Sequence, residues 1–147
     1  MVLGGLLNTK EVDKMSERIV EEIKLLKQKY SNLQNGQNND WVMIPDFPLV
    51  DGYDRKTTRL LILIPVAYPN TAPDNFYVDK GLRLSNGAKP SSYNEETGVP
   101  VTGEWGCYSW HQDKEIADSW NPNAQIDKGD NLLTFVKSIN IRLREIN

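Results

Sequence analysis

The first readable pattern along the chain is a helical one. Val12, Met15, Ile19, Ile23, Leu26 and Tyr30 recur at spacings of three and four, which gathers them on one face of a helix over residues 8–33. Asn8 and Glu11 have the spacing of a capping box at its start. Glu17, Glu21 and Glu22 alternate with Lys24 and Lys27 on the opposite, wet side. Residues 31–40 are rich in Asn, Gln and Gly and read as a loop. Trp41 to Ile44 is a short apolar stretch stopped by Pro45, and Asp51-Gly52 marks a turn.

The pattern then changes period. Residues 57–66 hold the unbroken apolar run Leu60-Leu61-Ile62-Leu63-Ile64, expected of a central strand covered on both faces. Tyr68-Pro69 through Pro73 is a proline-punctuated turn, and Phe76-Tyr77-Val78 a further short strand. From residue 79 to residue 118 periodicity fades among Gly, Pro, Asn and Ser. An irregular segment of that length within a domain is often functional. A second helix is expected from about residue 131, with Leu132, Leu133, Val136, Ile139 and Leu143 inward and Asp130 or Asn131 as its cap. The order of helix, sequential strands, irregular segment and helix predicts an α+β domain. Its sheet is an antiparallel meander of about four strands with helices on one side.

Composition narrows the function. The chain has 147 residues, the size of one ordinary domain over residues 1–147. Its net charge of −3 and lack of a basic stripe speak against a nucleic-acid partner. One cysteine excludes an internal disulfide. No apolar run approaches the roughly 20 residues that span a bilayer, so a cytoplasmic protein with no membrane partner is expected. No phosphate-cradling glycine loop is present and no metal-ligand set, so no cofactor is expected.

The chemistry-bearing residues lie in Trp105-Gly106-Cys107-Tyr108-Ser109-Trp110-His111. A thiol both attacks and leaves readily, which suits acyl transfer. Cys107 therefore reads either as a nucleophile or as a buried structural cysteine. His111, the only histidine, reads as a general base or as a structural residue, and Ser109 is a rival nucleophile. Gly106 allows close backbone approach. Trp105, Trp110 and Trp120 read as packing and rim residues.

The segment Pro65-Val66-Ala67-Tyr68-Pro69, with Pro73 four residues later and Phe76 opening the next strand, resembles the strand–turn–strand signature of the ubiquitin-conjugating fold. Trp120-Asn121-Pro122 resembles that family's Trp-x-Pro element, and Cys107 lies between the two, where the family keeps its thioester cysteine. Phe47-Pro48, Gly52-Tyr53 and Ser109-x-His111 look like the prokaryotic ubiquitin-conjugating-like family E.

The resemblance implies a carrier that takes a ubiquitin-like protein from an activating-type enzyme onto Cys107 and passes it to an acceptor. Such carriers work beside a peptidase that removes the modifier. It also implies docking of the activating enzyme on the first helix, where Lys10, Lys14, Arg18 and Lys24 lie. The alternative is a noncatalytic binding module of the same fold. Two departures bear on this choice. The family's His-Pro-Asn is absent, leaving Asn86 or Asn94 as oxyanion donors, and Cys107 precedes Trp120 by 13 residues, a long spacing for the family. Tyr68, Pro69 and Pro73 are expected to be structural, the tyrosine hydroxyl meeting a backbone partner.

Overall fold

The computed structural model describes residues 9–95, 98–109 and 120–147. The first helix, α1 (Thr9–Lys29), buries Ile23 and Leu26, and Ile19 and Tyr30 pack beside them, as the three-four spacing predicts. It stops four residues short of the expected end. The Leu33 amide turns back to the Tyr30 carbonyl at 3.0 Å, and Ser31 and Asn32, poor helix formers, lie in that turn. The proposed cap Asn8 lies outside the described residues.

Six strands form one sheet in the order β1-β2-β3-β4-β6-β5, every pair antiparallel. They are β1 (Gln34–Asn35), β2 (Trp41–Pro48), β3 (Thr57–Leu63), β4 (Phe76–Asp79), β5 (Tyr93–Asn94) and β6 (Trp105–Tyr108). β2, β3 and β4 are the expected meander, and β1 adds a strand to its outer edge. β6 then pairs with β4, and β5 with the outer edge of β6.

Three expectations are corrected here. Residues 31–40 are not all loop, because Gln34 and Asn35 pair with Met43 and Val42. Pro45 does not stop β2. The register shifts between Ile44 and Phe47, a bulge that takes the proline, which has no N–H to offer, out of the ladder. The 79–118 segment is not uniformly irregular, because it contains β5 and β6.

β3 is the third strand of six and central, and Leu60, Leu61 and Ile62 are each at most 1% exposed, so both its faces are covered. The strand ends at Leu63, short of the expected Val66. Pro65 carries no amide to continue the ladder, and Val66 is 100% exposed.

The second helix, α2 (Leu132–Arg144), starts in a reciprocal cap. Asn131 accepts from the Thr134 amide, and the Thr134 hydroxyl accepts from the Asn131 amide. Its buried face is Leu132, Phe135, Val136, Ile139 and Leu143, so Phe135 takes the inward place assigned to Leu133, which packs only partly. Both helices share one apolar cluster with Val42, Ile44, Leu60, Ile62, Phe76, Val78 and Tyr108. They therefore cover one face of the sheet, and the alternate residues of each strand point to the other.

Candidate functional site

Cys107 is the third residue of β6, not part of an irregular loop as expected. Tyr108 joins the core beneath the helices, stacked on Phe76 at 4.9 Å, so strand alternation sends Cys107 to the opposite face. Register places two residues beside it on that face: Tyr77 of β4 and Asn94 of β5. Direct antiparallel partners have Cβ atoms about 4.5–5.5 Å apart, so both side chains flank the thiol. Cys107 is half-buried. Burial pushes its thiol pKa up, and the Asp74 carboxylate pushes it further the same way. Tyr77 is also raised, first by burial and then by the neighbouring cysteine.

Ser109 follows the strand by one residue, half-buried, its amide donating to the Ser92 carbonyl at 2.9 Å. Alternation gives it the same face as Cys107. His111 and Trp110 lie outside the described residues. Of the two asparagines named for the oxyanion role, only Asn94 is brought to the cysteine. The Asn86 side chain is engaged in its own turn, accepting from the Ala88 amide at 2.9 Å. Tyr77 and Asp74 were not foreseen. The alternation of Phe76-Tyr77-Val78 already turns Tyr77 away from its two apolar neighbours, but the register that sets it beside Cys107 is not local information.

Behind the site the same face carries Arg59, whose guanidinium lies 4.1 Å over the Trp105 ring and pairs with Asp79. This fastens β3, β4 and β6 together.

The Tyr-Pro turn is structural, as predicted, but the hydroxyl partner differs from the one expected. Tyr68 is fully buried and donates to the carboxylate of Glu22 in α1, not to backbone. The same carboxylate accepts from the Leu132 amide at 2.6 Å and from Arg18 at 2.7 Å. Arg18 also donates to the Asn123 and Asp130 carbonyls. Trp120 closes the arrangement, donating to the Pro69 carbonyl at 2.7 Å and lying 6.0 Å from Tyr68. Arg18 is thus spent inside the fold, a correction to its placement among the cations that meet a partner. Lys10 and Lys14 are exposed, and Lys24 pairs with Glu21 at the surface. Among the described residues no cluster of metal-ligating side chains occurs and no helix is long and apolar enough to cross a membrane.

A helix-backed antiparallel sheet, a buried Tyr-Pro turn and a Trp-x-Pro segment closing on it define a ubiquitin-conjugating-like fold. The profile of the prokaryotic E2 family E matches residues 17–146, and the chain belongs to that family. No curated protein and no solved structure matches the chain.

Proposed function

We propose that this protein is a ubiquitin-conjugating-like carrier that holds a ubiquitin-like protein as a thioester on Cys107. The observation that supports it most is the placement of the single cysteine on the sheet face away from the helices, between Tyr77 and Asn94, in a member of this family. In the first step the Cys107 sulfur attacks the carbonyl carbon of the thioester on an activating-type enzyme, and that enzyme's thiol leaves. In the second an acceptor amine attacks the same carbon, Cys107 leaves as thiolate, and the amine releases one proton. The Asn94 amide supplies a hydrogen bond to the oxyanion of both steps, the task the missing His-Pro-Asn leaves open. The activating enzyme docks on α1. There Lys14, with Glu17 and Glu21, lines a groove of about 510 Å³ alongside Met15, Pro69 and Ile126, and Lys10 is exposed on the same helix. A peptidase that removes the modifier completes the set of partners.

The test mixes the protein with an activating-type enzyme and ubiquitin-like protein from the same source and ATP, then compares gels with and without thiol. A thiol-labile adduct that Cys107→Ala abolishes is expected, with Cys107→Ser giving a thiol-stable ester. Equal adducts in wild type and Cys107→Ala overturn the proposal, and a thiol-resistant adduct in both points to Ser109. His111 acts as base in this reading if His111→Ala slows transfer more than loading.

One observation favours a second reading, a noncatalytic binding module: burial and Asp74 both hold the thiol in its neutral form. Noncovalent binding of the modifier with no adduct would establish it.

A further inference from the structure

β5 is only two residues long and lies at the sheet edge, yet it supplies the asparagine beside Cys107. So short a pair specifies its own register weakly. We infer that Tyr93 is the positioning residue that holds Asn94 opposite Cys107, and that Gly106 is the residue that makes room for it. The catalytic consequence rests on the assignment of Cys107 above; the positional one does not.

Tyr93 and Asn94 point to opposite faces, so fixing one fixes the other. Tyr93 enters the core cluster at 7% exposure, its ring edge-on to Tyr108 at 5.5 Å. From there the ring reaches across β6 toward the end of β4. Its hydroxyl accepts from the Gly81 amide at 3.0 Å, with the Asp79 carbonyl at 3.1 Å and the Glu95 carboxylate at 3.2 Å as acceptors for its proton. The side chain thus ties an edge strand to the strand two places inward. A slip of β5 by one residue would pull the ring out of the core and carry Asn94 away from the thiol.

The crossing passes over the one residue of β6 without a side chain. A Cβ on Gly106 would stand 2.1 Å from the Tyr93 hydroxyl oxygen and 2.3 Å from two ring carbons. Gly106 therefore provides space rather than an unusual backbone angle, a common use of glycine within a strand. The Trp105-Gly106-Cys107 run combines these roles. Its glycine admits the tyrosine that sets the asparagine beside the next residue.

Cys107 is the only cysteine, so Asn94→Cys creates a direct cross-strand pair whose closure to a disulfide reports the register. Antiparallel partners lie at Cα separations of about 4.5–5.5 Å, within the range a disulfide spans. The reduced variant is treated with diamide at low protein concentration, and intramolecular closure is followed by mass and by thiol titration. Rapid closure is expected in Asn94→Cys, a severalfold slower rate once Tyr93→Phe is added, and little closure with Tyr93→Leu or Gly106→Ala. Circular dichroism confirms which variants are folded, and Tyr93→Phe carries the test if the others are not.

No intramolecular closure in Asn94→Cys, or equal rates with and without Tyr93→Phe, overturns the inference. In the transfer assay Tyr93→Phe should slow discharge in wild type and add nothing in Asn94→Ala. An equal slowing in both backgrounds shows a merely structural role and overturns the positioning one. If Cys107→Ala leaves the adduct intact, the carrier reading fails, and the closure rates still decide the register.

Discussion

The hydroxyl of Tyr68 donates to the carboxylate of Glu22, and the two groups, 46 residues apart in sequence, are both buried. The contact joins the Tyr-Pro turn to α1, and the same carboxylate caps the first amide of α2. An acid at a helix N-terminus is favoured by the helix dipole as well as by the hydrogen bond. Three separate stretches of chain therefore meet at one side chain. Burial raises the tyrosine pKa, and the adjacent carboxylate raises it further, so the phenol stays a donor throughout the neutral range.

Tyr68→Phe removes that donor and leaves the Arg18 and Leu132 bonds to Glu22 in place. A bond to a charged group is worth about 1.5–3 kcal/mol, and that loss is the expected cost in urea unfolding. Tyr68→Ala adds a cavity and should cost about 3–5 kcal/mol. A Tyr68→Phe protein as stable as wild type would show that the contact contributes nothing.

Alkylation of Cys107 tests the electrostatics of the site without any partner protein. Its rate should rise with pH through a midpoint above that of an ordinary thiol, because burial and Asp74 both disfavour the thiolate. Asp74→Asn removes the repelling charge and should lower the midpoint, so the variant reacts faster at neutral pH. An unchanged midpoint would remove Asp74 from the account.

Glu95 provides an acid-sensitive fastening near β5. Its carboxylate accepts from Arg83 at 3.1 Å and from the Gly81 amide at 2.6 Å. These partners, Arg83 first, bring its pKa down from 4.5 to about 2. A lowered folded pKa means stabilisation that is present above the unfolded value and is lost as pH falls through the folded one. The Gly81 amide should therefore exchange faster as pH is lowered from 4.5 to 2, after correction for intrinsic rates. Glu95→Gln should flatten that dependence, and a wild-type profile that is already flat would count against the fastening.

Local pattern determined much of this protein. The spacing of Ile19, Ile23 and Leu26 marks α1, the run from Leu60 to Ile62 marks a strand covered on both faces, and Asn131, one of two candidate caps, starts α2. The Pro-x-x-Tyr-Pro element with Pro73 four residues after Pro69, and the Trp-x-Pro element, pointed to the family without coordinates. These signals are legible because each rests on neighbours within a turn or a strand.

Other features were decided by tertiary structure. β5 and β6 have two and four residues, too few for a period to register; β6 exists because β4 offers an edge to pair with, and β5 because β6 does. Pro45 reads as a stop because its missing amide is local, whereas the bulge that accommodates it depends on the register with β3. Arg18 and Glu22 look like members of a solvated helix face, yet Tyr68, Leu132 and two distant carbonyls bury them. The same holds at the site. Cys107 is conspicuous in the sequence, but its neighbours Tyr77 and Asn94 come from strands 30 and 13 residues earlier, brought together by hydrogen-bond register rather than by any spacing along the chain.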